Sequence, residues 1–208
     1  MALIDMTIND YVNVLGSDAP APGGGSASAL AAAQGIALTK MVSELTVGKK
    51  KYQDYEEEMQ AVRTEATHLQ AELLAAIDKD TEAFNEVTAV FSMPKATDEE
   101  KAARKAAMQR ALKIAANSPL AMMATIHQAL QVTERAVGKS NTNALSDLAV
   151  AALNLKSGLM GAGLNVAINL GGIKDEEFVQ ATKEKSDALL NEGVAIADRI
   201  YENILKDM

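Results

Sequence analysis

An alanine-rich stretch without charged residues constrains this chain more than any other feature. Between Ser26 and Lys40 the sequence has no charged side chain, and alanine is the commonest residue there. A helix that is apolar on all its faces is a buried one, so we predict a central helix from Ser26 to about Thr46. The rest of the core must come from aliphatic side chains and the ten Met, because aromatic residues make up only 3% of the chain.

The remaining segments carry the three- and four-residue spacing of apolar side chains that is typical of helices. We predict a helix at 7–16, with Ile8, Tyr11, Val12 and Leu15 as its buried side. Further helices are predicted at 54–92, at 98–117 with a kink or an interruption at Ser118–Pro119, at 120–136, from Asn143 or Ser146 to the Gly171–Gly172 turn, and at 175–205. No segment has the strict alternation of a strand. The sequence therefore predicts the all-α class: a single multihelical bundle with long helices, a buried alanine-rich central helix, and one domain over residues 1–208.

Charge and composition narrow the kinds of partner. The formal net charge of −8 argues against a surface for nucleic acid or acidic membranes, since phosphate binding is driven by Lys and Arg. There is no Cys, and His68 and His127 lack the spacing of a zinc site, so we expect no metal. Neither a signal peptide nor a membrane span is recognisable, and we expect a cytoplasmic protein.

Three consecutive glycines precede the central helix. Gly23, Gly24 and Gly25 are followed by Ser26, where the helix is expected to begin. Glycines let a ligand approach the main chain closely, and the unpaired N–H groups of a helix start favour an anion or a polar ligand atom. A plain turn and helix cap would explain the same residues. The spacing does not match either of the common glycine-rich nucleotide motifs.

One carboxylate falls on the apolar seam of the predicted 54–92 helix. The seam passes through Leu69, Leu73 and Ala76 and then reaches Asp80, whereas Asp78 points well away from it. A buried carboxylate has a raised pKa, which suits a general acid or base near neutral pH. A structural Asp satisfied by a neighbouring helix is the alternative.

Polar residues and glycines share one face of the helix that precedes Gly171. Three- and four-residue steps link Asp147, Ala151, Asn154, Gly158, Gly161 and Asn165, with Asn169 one turn further on. Glycine in a helix interior costs about 1 kcal/mol relative to Ala, so these glycines predict the close approach of another backbone. The face is either a tight packing surface with Asn as register pins or a ligand surface.

The densest positive cluster follows the central helix. Lys49, Lys50 and Lys51 come directly after Gly48. They are either a solvated turn at a helix C-terminus or a landing place for ligand carboxylates.

Several of these motifs together resemble a known family. The sequence Ala21-Pro22-Gly23-Gly24-Gly25-Ser26-Ala27, the Leu45–Tyr52 segment, Asp80-Thr81-Glu82-Ala83-Phe84, Pro119-Leu120, Ser146-Asp147-Leu148 and Asn165–Leu170 occur in the order typical of the formiminotransferase-cyclodeaminase C-terminal family. The resemblance covers nearly the whole chain. It implies an all-helical folate enzyme that works as a homodimer, without a metal or redox cofactor beyond its tetrahydrofolate substrate.

Two activities follow from the resemblance. One is hydrolysis of 5,10-methenyltetrahydrofolate to 10-formyltetrahydrofolate, and the other is cyclodeamination of 5-formiminotetrahydrofolate with release of ammonia, a lyase reaction. The chain has no formiminotransferase domain, which favours the hydrolase but leaves the deaminase open. A helical adaptor or dimerisation module, whose alanine seams serve only packing, is an alternative from a different class.

Both reactions move protons at a carbon held between N5 and N10 of the folate, and we assign that task to Asp80. Lys40 either pairs with Asp80 and adjusts its pKa or lies at the bundle surface. For the pterin we expect the 23–26 segment with Asp147, Asn165 and Asn169. For the carboxylates of the folate tail we expect lysines, with Lys49, Lys50, Lys51 and Lys139 as candidates.

Overall fold

The computed structural model describes residues 2–208, and it confirms the all-α class. The six α-helices are α1 (Ile8–Leu15), α2 (Gly24–Glu44), α3 (Glu56–Phe91), α4 (Asp98–Ala136), α5 (Leu145–Leu170) and α6 (Glu176–Asp207), with short 3₁₀ turns at Leu3–Asp5, Lys50–Tyr55 and Thr142–Ala144. No strand occurs within these residues. One apolar core, to which every α-helix contributes, runs through the bundle.

The alanine-rich helix α2 is central, as its composition predicts. It packs against α3, α4 and α5, and Ala29, Ala32 and Ile36 are completely buried. Small residues allow α2 and α5 to approach closely. A Cβ atom on Gly35 would lie 2.9 Å from the carbonyl oxygen of Ala151, and one on Gly158 would lie 2.8 Å from that of Ser28. Gly35 and Gly158 therefore serve the close packing of α2 against α5.

Helix α2 begins two residues earlier than predicted. Gly23 is the N-cap, and Gly24 and Gly25 are the first two residues of the helix. None of the three has a positive φ, which in this structure occurs only at Gly48 and Gly138 among the described residues. The glycine run is thus a helix start rather than a flexible loop, and its lack of side chains must have a steric reason.

Of the kink or interruption predicted at Ser118–Pro119, the interruption is wrong. Helix α4 continues through Pro119 from Asp98 to Ala136. Proline has no N–H and so cannot donate to the carbonyl of Ala115 four residues earlier. That carbonyl instead accepts a hydrogen bond of 2.8 Å from the Asn169 side chain on α5. Because a side chain of another helix replaces the missing backbone donor, α4 can continue through the proline.

The apolar side of α1 does not lie against the bundle as predicted. Tyr11 is 5% exposed, but Ile8 is 85% exposed, and Val12 and Leu15 are also exposed. The predicted cap is confirmed, since the Thr7 hydroxyl accepts from the Asp10 amide at 3.1 Å. Among the four residues predicted as the buried side of this eight-residue helix, Tyr11 alone is buried.

Candidate active site

A cavity of about 320 Å³ lies at the N-terminal end of α2. Four helices and the segment before α2 form its walls. Its lining residues are Pro20, Ala21, Gly23, Gly24, Gly25, Asp80, Thr81, Ala83, Phe84, Val87, Leu112, Ala115, Asn165, Ile168 and Asn169. Five residues predicted for the site, Gly23 to Gly25, Asn165 and Asn169, therefore line one cavity together with Asp80.

Asp80 lies beside the first turn of α2. The Ser26 amide donates to its Oδ2 atom at 3.1 Å, and the Ser26 hydroxyl lies 3.5 Å from the same oxygen. Burial raises the pKa of Asp80 above its ordinary value, and the two Ser26 hydrogen bonds oppose that rise. No cation forms an ion pair with Asp80 among residues 2–208. Asp80 is therefore a half-buried carboxylate without a counter-charge, and the Lys40 partner that the sequence suggested for it is absent.

The three glycines differ in how much space they have. A Cβ atom on Gly25 would overlap the Asp80 carboxylate, whereas on Gly24 it would make ordinary contact at 3.6 Å with the Asn165 side chain, and on Gly23 it would meet nothing within 4 Å. Gly25 is therefore the glycine that lets Asp80 reach α2. The amides of Gly24 and Gly25, in the first turn of the helix, have no acceptor within the described chain, which leaves two donors at the cavity wall.

Two asparagines of α5 present acceptors at the cavity. Asn165 donates from Nδ2 to the Gly161 carbonyl at 2.8 Å, and Asn169 donates from Nδ2 to the Ala115 carbonyl at 2.8 Å. Both residues line the cavity, and neither Oδ1 atom has a hydrogen-bond partner among residues 2–208. The orientation of Asn169 depends on Pro119, because that proline vacates the Ala115 carbonyl.

Sequence reasoning did not place Tyr11 or Thr81 at the site. The hydroxyl of Tyr11 is buried without a hydrogen-bond partner, and burial first and the charge of Asp80 second raise its pKa. Thr81 lines the cavity, and its hydroxyl lies 3.4 Å from that of Ser26. Tyr11 was expected to be buried, but its nearness to Asp80 depends on how α1 folds back, which no local pattern reveals.

The other predicted site residues lie at the opposite end of α2. The helix has 21 residues and is about 30 Å long. Lys40 pairs with Glu44 at 3.3 Å, about 21 Å along the helix from Ser26, so the predicted pairing of Lys40 with Asp80 does not form within the chain. Asp147 starts α5, about 27 Å from Asn165 at the other end.

Lys49 and Lys50 line a separate shallow cavity with Gly48, Gln53 and Glu56, after the C-terminal end of α2. Nearby, Lys51 donates to the Thr142 hydroxyl at 3.1 Å, and the Thr142 amide donates to the Tyr52 hydroxyl at 3.0 Å. Hydrogen bonds to Thr142 lower the pKa of Tyr52. Within one chain, these lysines and Asp147 therefore do not share the cavity of Asp80.

Known proteins match this architecture along almost its whole length. Residues 7–188 match the family model described as formiminotransferase-cyclodeaminase. A methenyltetrahydrofolate cyclohydrolase from Methylorubrum extorquens is 41% identical over 95% of both chains. A formimidoyltransferase-cyclodeaminase from Rattus norvegicus is 34% identical over 92% of this chain, which spans 35% of that protein. The crystal structure of formiminotetrahydrofolate cyclodeaminase from Thermotoga maritima has a TM-score of 0.82 and 26% identity, and the match covers 97% of this chain and 98% of the other.

The fold, the cavity and these relatives together define an all-helical enzyme that acts on a small molecule. The chain belongs to the formiminotransferase-cyclodeaminase family.

Residues 2–208 contain neither a membrane-spanning helix nor a metal-binding cluster. None of the helices there has a stretch long and apolar enough for a membrane span. That part of the chain also has no group of three or more His, Asp or Glu side chains placed to hold one metal ion.

Proposed function

We propose that this protein hydrolyses 5,10-methenyltetrahydrofolate to 10-formyltetrahydrofolate. The observation that carries the proposal is the Asp80 carboxylate, which lines a cavity of about 320 Å³ without a neutralising cation and has its pKa raised by burial. The likeness to a methenyltetrahydrofolate cyclohydrolase at 41% identity, over 95% of both chains, supports the choice of hydrolysis.

In the proposed reaction water adds to the amidinium carbon between N5 and N10 of the folate. Asp80 takes a proton from that water as the carbon–oxygen bond forms, which gives a neutral tetrahedral intermediate. The bond from that carbon to N5 then breaks, and N5 takes the proton from Asp80. The hydroxyl proton of the intermediate passes to Asp80 and on to solvent, which leaves a formyl group on N10.

The groups around Asp80 support this sequence of proton transfers. Ser26 holds one carboxylate oxygen with its amide, so the other oxygen is the one available to the water. The unpaired amides of Gly24 and Gly25 are donors for the oxygen of the tetrahedral intermediate. We assign the Oδ1 atoms of Asn165 and Asn169 to the donor edge of the pterin, since both amide groups already donate elsewhere.

Cyclodeamination of formiminotetrahydrofolate is the second candidate function. The observation in its favour is the fold of the Thermotoga maritima cyclodeaminase, which matches this chain over nearly its full length. In that reaction N10 attacks the formimino carbon, ammonia leaves, and Asp80 carries a proton from N10 to the departing nitrogen. A purely structural adaptor would gain nothing from a desolvated carboxylate facing a cavity, because that carboxylate costs stability.

A homodimer is part of the proposal. Helix α5 has an apolar stripe with heptad-like spacing that residues 2–208 leave largely exposed, and this stripe consists of Val150, Leu153, Met160, Leu164 and Ile168. Leu164 is 73% exposed and Ile168 78%, and Ile168 also lines the Asp80 cavity. A second copy on this stripe would bury it and close the cavity beside Asn165. Analytical ultracentrifugation of the purified chain tests the dimer, and a sedimenting monomer at micromolar concentration contradicts it.

Two assays on the purified protein separate the candidate functions. Loss of the near-ultraviolet absorbance of methenyltetrahydrofolate, measured above the uncatalysed rate, reports hydrolysis, and ammonia release from formiminotetrahydrofolate reports deamination. We expect hydrolysis to be the faster reaction. Faster ammonia release would replace the first function by the second, and the absence of both would contradict an enzyme of folate chemistry. Single-domain behaviour and a cytoplasmic location remain predictions.

A further inference from the structure

Two facing stripes of α3 and α4 form what we call the α3–α4 groove, and the Asp80 cavity lies at one end of it. On α3, Asp80 is followed at four-, three- and four-residue steps by Phe84, Val87 and Phe91, which places the four on one face. The facing stripe of α4 runs in the opposite direction, and its members are Ala115, Leu112, Met108, Lys105 and Lys101. The inner members of both stripes line the Asp80 cavity, whereas the outer ones line a second cavity of about 340 Å³.

The outer cavity is basic. Its lining includes Lys95, Lys101, Arg104 and Lys105, together with Phe91, and it has no carboxylate in its wall. We call these four cations the hairpin cluster, because they surround the turn between α3 and α4. Lys95 and Lys105 form no ion pair among residues 2–208, and Lys101 pairs only with the exposed Asp98 at 2.9 Å.

Arg104 is held in place by the end of α3. Its Nε donates to the carbonyl of Val90 at 3.1 Å, and one of its terminal nitrogens lies 3.4 Å from the carbonyl of Phe91. A cation at a helix C-terminus is favourably placed with respect to the helix dipole. The hairpin cluster therefore has one fixed member and three exposed lysines that can move onto a ligand.

The distance along the groove fits the tail of a folate. Asp80 and Phe91 are 11 positions apart on α3, about 16 Å along the helix axis. From N10 of a folate to the γ-carboxylate of its first glutamate is about 12 Å, counted over standard bond lengths. A cavity of about 320 Å³ is at the small end for a drug-sized ligand, so it suits the pterin and the reacting carbon, and the tail has to leave it.

Two exposed aromatic rings lie along that path. Phe84 is 41% exposed and Phe91 is 62% exposed, although the chain has only three Phe. Exposed phenyl rings between a reaction centre and a basic cluster suit the aminobenzoyl ring of a folate, which can stack on them.

Other lysines are less suited to the tail. Lys49 and Lys50 lie beyond the opposite end of α2, about 30 Å away along that helix. Lys113 is near the Asp80 cavity in sequence, but it is paired with Asp175 at 2.6 Å.

We propose that the glutamate tail of the substrate lies in the α3–α4 groove and that the hairpin cluster binds its carboxylates. This inference rests on the proposed folate function and names the part of the molecule that selects long tails. Each added glutamate brings another carboxylate to Lys95, Lys101 and Lys105, so the enzyme binds polyglutamylated folate more tightly than the monoglutamate.

The test compares two double variants by their kinetics on mono- and triglutamylated methenyltetrahydrofolate. In Lys101→Ala/Lys105→Ala we expect the KM for the triglutamate to rise about tenfold, that for the monoglutamate about threefold, and kcat to stay within about twofold, because two exposed charge contacts are lost away from the reacting carbon. The matched control is Lys49→Ala/Lys50→Ala, which removes the same charge at the other end of α2 and should change neither KM. The increase in KM should shrink in high salt.

The possible outcomes separate the two proposals. If the wild-type enzyme turns over both substrates but the hairpin variant keeps both KM values, the tail site is wrong while the function stands. A larger effect of the Lys49 and Lys50 changes would move the tail site to the other end of α2. If the wild type hydrolyses neither substrate, the proposed function is wrong, and the tail site is rejected with it. Thermal unfolding of each variant checks that the fold is intact.

Discussion

The two ends of α2 carry similarly conspicuous sequence motifs but have different physical character. At the Gly24 end, Asp80 is half-buried, has no cationic partner, and has its pKa raised by burial. At the Glu44 end, Tyr52 exchanges hydrogen bonds with Thr142, which lower its pKa, and the lysines there are exposed. One end holds a carboxylate without a cationic partner beside a cavity, whereas the other holds polar groups that are hydrogen-bonded to one another.

The difference shows why motifs near one helix do not have to form one site. A buried carboxylate costs free energy, so its retention calls for a function. Exposed lysines and a hydrogen-bonded Tyr cost little and need none. We therefore locate the chemistry at the Gly24 end, and the following predictions test that division, from the largest expected effect to the smallest.

The largest expected effect comes from Asp80→Asn. The amide can still accept from Ser26, but it cannot take a proton from water, so kcat for hydrolysis should fall about 10²- to 10⁴-fold. Asp78→Asn is the matched control, since Asp78 lies two residues away and accepts instead from the Leu3 amide at 2.6 Å. Equal activity of the Asp80 and Asp78 variants would remove Asp80 from the reaction.

Gly25→Ala should have the next largest effect. The added Cβ atom overlaps the Asp80 carboxylate, and displacing a catalytic group by about 1 Å can cost about 10²-fold in rate. Gly163→Ala is the control, because its Cβ would make ordinary contact with Met123 at 3.5 Å. Steady-state rates of the two variants check this prediction. A fully active Gly25→Ala enzyme would mean that the Asp80 carboxylate can adopt another position without loss of catalysis.

Lys40→Ala and Lys50→Ala test the opposite end of α2. Lys40 is tied to Glu44 in an exposed pair, and such pairs contribute about 0–1 kcal/mol to stability. We expect kcat to stay within about twofold for both variants, measured with methenyltetrahydrofolate. A loss of tenfold or more would instead show that this end contributes to catalysis, through the site of a second copy in the proposed dimer.

Pro119→Ala should raise KM slightly and leave kcat nearly unchanged. An alanine restores an N–H that competes with Asn169 for the carbonyl of Ala115. We expect a KM increase of about twofold to threefold with little change in kcat, because a carbonyl oxygen can accept two hydrogen bonds. Kinetics together with thermal unfolding check this. An unchanged KM would show that Asn169 keeps its orientation without the proline.

The stability effect of Asp80→Asn has a predictable sign. Burial raises the folded-state pKa of Asp80 above its ordinary value, so between those two pKa values the folded chain binds more protons than the unfolded chain. The free energy of unfolding therefore falls as pH rises through that window. We expect the variant to melt above the wild type at pH 8 and the difference to vanish in acid, as measured by thermal unfolding. The reverse order at pH 8 would mean that ionised Asp80 stabilises the fold.

Much of the fold could be predicted because its signals are local. The uncharged alanine run identified the buried α2, and the spacing along α3 put Asp80 on the inner face. What failed depended on distant partners. Helix α4 continues through Pro119 because the Asn169 side chain on α5 donates to the Ala115 carbonyl that the proline leaves without a donor. The exposure of Ile8 depends on where α1 lies against the bundle.

The site residues also divide into those that local spacing could predict and those that depend on how the helices pack. Spacing within one helix could relate Asn165 to Asn169, but it could not tell which end of α5 would lie beside the Gly24 end of α2. Asp147 and Asn165 share a face of α5 and still lie about 27 Å apart, so a common face does not imply a common site. The hairpin cluster escaped prediction because its cations come from a loop and the first turns of α4, and only the antiparallel packing of α3 and α4 links them to Asp80.

The central claim, that the desolvated Asp80 is the general base, is tested most directly by the pH dependence of kcat/KM for methenyltetrahydrofolate hydrolysis, after subtraction of the rate without enzyme. The base must be ionised, so we predict that activity falls on the acid side with a single ionisation whose midpoint lies above the ordinary Asp value of about 3.9. The residual activity of Asp80→Asn should lack this ionisation. A wild-type profile without an acid limb, or an acid limb that persists in Asp80→Asn, would contradict the claim.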